Sequence, residues 1–124
     1  MLATGRRGEA TMVVEAADTA RALGSGDVDV LGTPRMIALC EQACCRAVSP
    51  DLPNGATTVG VKVRVDHLQP SPIGARVRAE ATVRKVEGRR ISFTVSASDD
   101  RGLVAVGRVT RVIVDLERFM SRLG

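Results

Sequence analysis

The stretch TPRMIALCEQACCRAV, residues 33–48, decides the fold because it is the clearest helix in the sequence. Thr33 is a favourable N-cap. Pro34 follows at the first helical position, where its missing N–H leaves no hydrogen bond unmade. Ser49-Pro50 is typical of a helix end. We therefore predict one long helix from Thr33 to about Val48.

Segments with the period of a β-strand lie on both sides of this helix. They are Thr11 to Ala17 before it, and Thr57 to Leu68, Ala75 to Glu87, Ile91 to Ala97 and Leu103 to Val114 after it. One helix cannot cover both faces of such a sheet. The pattern predicts an α+β fold in which a curved antiparallel sheet wraps around one central helix. We expect residues 1–10 to be a disordered tail and residues 11–124 to be a single domain. The long last strand favours pairing across a homodimer, which removes an exposed edge.

The charge of this 124-residue chain, +4, is spread rather than clustered. All of its 18 basic residues except Lys62 and Lys85 are Arg, and no basic run exceeds two residues. Phe93 and Phe119 are the only aromatic residues. A nucleic-acid surface usually combines a basic stripe with stacking aromatics, so the pattern favours an anionic small molecule.

The three cysteines indicate a reducing compartment. Cys40, Cys44 and Cys45 fall within six residues, which does not form a disulfide framework. No signal peptide and no membrane-spanning apolar run are recognisable, so we predict a cytoplasmic protein. Since the helix carries no histidine, we interpret the cysteines as core packing, and we predict no metal site.

Glu41 is out of phase with the polar face of its helix. At about 100° per residue, Arg35, Gln42 and Arg46 share a solvent sector, and Glu41 lies with the apolar residues instead. A carboxylate in apolar surroundings is costly unless it finds a partner. The alternative is a Glu at the edge of the buried face that reaches solvent.

His67, the only histidine, is the candidate partner of Glu41. Its parity matches the row Val59, Val61, Val63 and Val65, so we expect it at the rim of the core face, where proton transfer is favourable. A strand-end histidine with its polar edge in water is the alternative. Gly60 would let another group approach the backbone closely and would offer its N–H to an oxyanion, or it simply marks a bulge or twist.

A set of short motifs occurs in an ordered spacing along almost the whole chain. They are Asp18-Thr19-Ala20, Gly24 to Val28, Gly32-Thr33-Pro34, Met36 to Glu41, Thr57 to Gly60, His67-Leu68 with Pro70 and Pro72, and Gly88-Arg89-Arg90. Together they resemble the hotdog-fold thioesterase family that includes fluoroacetyl-CoA thioesterase.

This resemblance implies a homodimer with active sites at the subunit interface and a Thr33, Glu41, His67 constellation. Thr33 would orient the reacting group, Glu41 would act as nucleophile or general base, and His67 as acid or base. Gly60 would position the thioester carbonyl through its backbone. Apart from the resemblance, arginines such as Arg35, Arg89 and Arg90 are candidates to meet the phosphates of coenzyme A. No cofactor is implied, because coenzyme A enters as part of the acyl-CoA substrate.

The sequence also departs from the family and leaves other functions open. The fluoroacetyl-specific member carries a Phe gate just before its Thr, whereas Gly26 to Leu31 contain no aromatic residue, so we do not assign fluoroacetyl-CoA. A hotdog domain that binds acyl-CoA or another small ligand without turnover is the main alternative. A hydratase or dehydratase is weaker, because Asp66 and His67 point to opposite sheet faces.

Overall fold

The structure, a computed structural model, describes residues 2–124. In chain order its elements are β1 (Arg7–Val13), α1 (Ala20–Leu23), α2 (Thr33–Val48), β2 (Ala56–His67), β3 (Arg76–Glu87), β4 (Arg90–Asp99), β5 (Gly102–Asp115) and α3 (Leu116–Ser121). Two 3-10 turns, Ala16–Asp18 and Ser49–Asp51, complete it.

The five strands form one antiparallel sheet in the order β1-β3-β4-β5-β2. Helix α2 lies on one face and packs chiefly on β1 and β3. Its buried residues meet the inward row of the sheet, and Phe93 is fully buried between them. The predicted curved sheet around one helix is confirmed, and the helix has the predicted bounds.

Small residues bring the sheet and helix close together. A β-carbon on Gly8 of β1 would overlap the backbone of α2 at Ala43 and Ala47, so only glycine fits there. Because the core contains only one aromatic side chain, it is filled by the close approach of the sheet and the helix rather than by large side chains.

Three predicted details are wrong. Strand β1 runs from Arg7 to Val13 rather than from Thr11 to Ala17, so the boundary between tail and domain at residue 10 is misplaced. Gly32 is the N-cap of α2, and the Thr33 side chain makes no cap hydrogen bond. The long last strand, β5, is internal, and β2 is the free edge on that side of the sheet.

A β-bulge in β2 changes which residues face the helix. Gly60 is opposite Arg111 and Lys62 is opposite Thr110, so Val61 is an extra residue. Val63 is then opposite Val109, and His67 opposite Ala105. Because Val109 and Arg111 share one face of β5, Gly60 and His67 lie on the same side of the sheet. The predicted single row from Val59 to His67 is therefore wrong for the residues that precede the bulge.

Candidate active site

Thr33 and His67 meet where α2 begins and β2 ends. Thr33 Oγ1 lies 2.8 Å from His67 Nδ1, a hydrogen bond whose direction depends on the histidine tautomer. Nε2 of His67 is buried and has no hydrogen-bond partner among residues 2–124. Burial lowers the pKa of His67, and the backbone of Gln69 partly opposes this effect. The ring is thus favoured as neutral, with one nitrogen left for a further partner.

The segment before α2 is tied to the loop after β2. The Leu31 N–H donates to the carbonyl of Ser71, and Val30 forms a bridge with Pro72. The buried Ser71 hydroxyl in turn donates to the Asp99 carboxylate at 2.9 Å. These bonds hold a pocket of about 290 Å³ beside Thr33 and His67, with side chains that include Val28, Val30, Leu31, Leu68 and Pro70.

Glu41, farther along α2, belongs to a second cluster of polar side chains. Arg111 donates from a terminal guanidinium nitrogen to Glu41 Oε2 at 2.6 Å. Arg111 also donates to the Thr58 hydroxyl at 2.9 Å and to the Thr58 carbonyl at 2.8 Å. The arginine is buried, whereas the Glu41 side chain is 30% exposed. Arg111 is therefore locked in place and holds one carboxylate oxygen, while Glu41 keeps access to solvent.

Gly60 is placed directly against this carboxylate. A β-carbon at Gly60 would overlap Glu41 Oε2 and would lie 3.2 Å from the guanidinium of Arg111. The predicted close approach at this glycine is therefore present, and the bulge, its predicted alternative, is present too.

The two polar groups do not touch each other. Eight residues separate Thr33 from Glu41 on α2, which corresponds to about 12 Å along the helix axis. Within the chain the polar partner of Glu41 is Arg111, and that of His67 is Thr33. The predicted direct pairing of Glu41 with His67 is not formed inside one chain.

Arg111, which bonds to Glu41, is the residue of the candidate site that the sequence analysis missed. Its parity in β5 is that of the buried Val109 and the half-buried Ile113, so it stands on the inward row of an otherwise apolar strand. An arginine on such a row indicates a buried anionic partner.

The remaining predicted residues are placed elsewhere. Arg89 and Arg90 are exposed at the β3–β4 turn and do not line the pocket beside His67. Cys40 and Cys44 are buried in the core. Burial raises the pKa of the Cys40 thiol to about 11 and raises that of Cys44 further, so neither is a ready nucleophile.

Comparison with known proteins identifies the family. Residues 14–117 match the family described as fluoroacetyl-CoA-specific thioesterase. The chain belongs to this family. This chain is 37% identical over 95 residues to the fluoroacetyl-CoA thioesterase of Streptantibioticus cattleyicolor. The match covers 77% of this chain and 68% of that protein.

Solved structures extend the likeness over the whole fold. A variant of the fluoroacetyl-CoA thioesterase FlK, in complex with acetyl-CoA, is 32% identical with a TM-score of 0.93, and the match covers 98% of this thioesterase and 96% of that chain. A thioesterase superfamily member from Thermus thermophilus is 30% identical with a TM-score of 0.91, over 99% and 91% of the two chains. The predicted hotdog fold and thioester hydrolase class are confirmed. No helix within residues 2–124 has the length and apolarity needed to cross a membrane.

Proposed function

We propose that this thioesterase hydrolyses a small acyl thioester of coenzyme A with Thr33, Glu41 and His67 as its catalytic residues. The observation that carries the proposal is the Glu41–Arg111 pair. It fixes one carboxylate oxygen, Oε2, while Oε1 accepts no hydrogen bond from the described residues. An anchored carboxylate with one unengaged oxygen suits attack on a carbonyl or deprotonation of water.

The hydrolysis adds water across one bond. The water oxygen, or Glu41 followed by water, bonds to the carbonyl carbon, the C–S bond breaks, and the departing thiolate takes a proton. His67, with Thr33 at its Nδ1, has Nε2 left for that proton transfer. Gly60 lies beside the carboxylate, and we propose that its backbone positions the thioester carbonyl.

The lining of the pocket supports a small aliphatic acyl group. The pocket has a volume of about 290 Å³, and Val28, Val30 and Leu68 form an apolar wall on it. Neither aromatic residue of the chain lies there, since Phe93 is in the core and Phe119 is in α3. We therefore propose a substrate other than fluoroacetyl-CoA, with Arg89 and Arg90 left as candidates to meet the coenzyme A phosphates.

We further propose that the working site is shared between two copies of the chain. The Thr33–His67 group and the Glu41–Arg111 group are about 12 Å apart along one helix, too far for both to reach one thioester carbon directly. Two-fold pairing through the free edge of β2 would set the first group of one protomer near the second group of its partner.

Thiol release from a panel of short, branched and aryl acyl-CoAs tests the hydrolase proposal. We expect Glu41→Gln to lose turnover with an intact circular dichroism spectrum, and Glu117→Gln, an exposed helical control on α3, to keep it. Absence of turnover in the unaltered protein on every substrate would favour a ligand-binding domain instead.

Mixing two inactive variants tests the shared site. Unfolded and refolded together, Glu41→Gln and His67→Ala chains form mixed dimers in which one of the two sites has both residues. If the site is shared, roughly a quarter of the unaltered activity returns, because about half of the dimers are mixed. If each site lies in one chain, no activity returns.

A further inference from the structure

A second groove lies on the sheet face opposite α2. Its volume is about 450 Å³, larger than that of the pocket beside His67. Thr110 contributes to its floor and follows the inward-facing Val109 directly, so the groove opens on the other side of the sheet from Glu41. The proposed hydrolytic site does not use it.

The groove is lined by side chains from four neighbouring strands. Lys62 of β2 is opposite Thr110, Thr110 is opposite Ser92, and Ser92 is opposite Lys85 of β3. At about 4.8 Å per strand, the two lysines stand about 14 Å apart at the backbone. Cations therefore flank a floor that carries two half-buried hydroxyls, a spacing that suits a chain of phosphates between them.

Five cations line this groove, and four of them have no acidic partner. Lys85 pairs at 3.4 Å with Glu87, the one carboxylate among the described residues that line the groove. No ion pair among residues 2–124 involves the others, Lys62, Arg64, Arg84 and Arg108. Elsewhere on the surface some arginines, such as Arg6 and Arg78, have carboxylates within ion-pair distance, whereas within the described chain others, such as Arg76 and Arg122, do not, so the groove differs in having its unpaired cations side by side.

The cross-strand pairing makes this arrangement unfavourable for the empty fold. Arg64 and Arg108 are directly opposite each other on β2 and β5. Like charges in directly opposed positions destabilise a sheet, and the neighbouring unpaired cations add to the repulsion. An anion in the groove would relieve this repulsion. Nothing in the packing of the core requires this cluster of cations.

We propose that this groove binds the diphosphate group of a nucleotide, at a site separate from the hydrolytic one. Its volume is that of a small-molecule site. Its charges match two adjoining phosphates, and its hydroxyls donate to them. Free nucleoside diphosphates and coenzyme A both carry this group. The groove contains no aromatic side chain on which the bases of a nucleic acid would stack.

Isothermal titration calorimetry with ADP, coenzyme A, inorganic diphosphate and adenosine tests the proposal. We expect the three phosphate compounds to bind and adenosine not to bind. In Arg64→Gln/Arg108→Gln the affinity for ADP and diphosphate should fall roughly tenfold or more, because charge-assisted contacts are lost. The control Arg76→Gln/Arg122→Gln removes the same charge from two arginines without ion pairs outside the groove, and should change the affinity by less than about twofold.

Melting curves provide a second measurement that does not depend on turnover. ADP should raise the Tm of the unaltered protein and of Glu41→Gln equally, but not that of Arg64→Gln/Arg108→Gln. Without ligand, that double variant should melt at the same or a higher temperature, since the opposed arginine pair is gone.

Several outcomes would overturn the proposal. These are no binding of ADP or diphosphate at millimolar concentration, or an equal loss of affinity in the control variant. Binding of coenzyme A alone, unchanged in Arg64→Gln/Arg108→Gln, would assign the nucleotide to the hydrolytic site. Tighter binding of a short oligonucleotide than of ADP would instead indicate a nucleic-acid surface.

Discussion

Arg111 connects the carboxylate of Glu41 to the sheet through three hydrogen bonds. A lysine at this position keeps the charge but donates from a single nitrogen, so it cannot reproduce the rigid fork that reaches Glu41 and both Thr58 oxygens from three nitrogens. We expect Arg111→Lys to lower the free energy of unfolding by about 1–3 kcal/mol, because buried polar groups lose their partners. Turnover should fall by roughly tenfold or more, since the carboxylate loses its fixed orientation.

Urea unfolding and thiol release, measured on the same preparations, check this expectation. Arg76→Lys is the matched control, because Arg76 is exposed on β3 and makes no ion pair among the described residues. Full activity in Arg111→Lys would mean that Glu41 needs charge alone and not a fixed position.

His67 makes the stability of the protein depend on pH near neutrality. Because burial lowers its pKa in the folded chain below 6.5, the unfolded chain binds a proton more readily. Stability contributed by the neutral ring is therefore complete above about pH 7 and is lost as the pH falls through 6.5 toward the folded pKa.

Urea titrations between about pH 8 and about pH 5 measure this dependence. The slope of unfolding free energy against pH should be smaller in His67→Gln, and since His67 is the only histidine the difference belongs to it. Equal slopes in both proteins would contradict a lowered pKa.

At the scale of single residues, sequence periodicity identified some of the site and missed the rest. Glu41 was identified because its position on a helix depends only on local spacing. Arg111 was missed because its partner is 70 residues away, and the parity of β5 indicates burial but not which carboxylate it meets. Local spacing indicates only an N-cap role for Thr33, and its place beside His67, where its hydroxyl bonds, comes from the family resemblance.

At the scale of elements, the bulge at Val61 determines whether two site residues share a face. Deleting Val61 removes the extra residue, so Gly60 and His67 can no longer both point toward α2. We expect the deletion variant to lose turnover. Val61→Ala keeps the chain length and should retain activity within roughly twofold, because the side chain is exposed and only the backbone count matters.

Thiol release together with circular dichroism separates the two effects of that deletion. Turnover in a folded deletion variant would mean that Gly60 and His67 do not act on one face. The bulge itself was beyond prediction, because Val59, Val61, Val63 and Val65 alternate without a break and only the pairing with β5 displaces them. The helix, whose signals are local, has the predicted span from Thr33 to about Val48, although its N-cap is Gly32 rather than Thr33.

At the scale of the whole molecule, the two sheet edges offer a matched comparison. Val63 on β2 is 38% exposed, and Val13 on β1 is 43% exposed. If copies pair through β2, Val63→Lys places a charge in the interface and Val13→Lys does not. We expect Val63→Lys to be monomeric and inactive, and Val13→Lys to remain dimeric and active.

Analytical ultracentrifugation and thiol release check both variants. An active monomer of Val63→Lys would remove the case for a shared site, and a dimer broken by Val13→Lys instead would assign the interface to the opposite edge. The edge was mispredicted because strand order depends on long-range pairing, and strand length does not determine which strand is outermost.

The extra residue in β2 also has a consequence for how homologues are compared. A multiple alignment scores matched letters, yet here the count of residues between Gly60 and His67 decides whether both lie on the face of the proposed active site. A homologue that keeps both residues but has a one-residue gap between them has a rebuilt site and should not inherit the activity. The absence of a gap in β2 of the alignment is therefore a criterion for assigning the same function to a homologue.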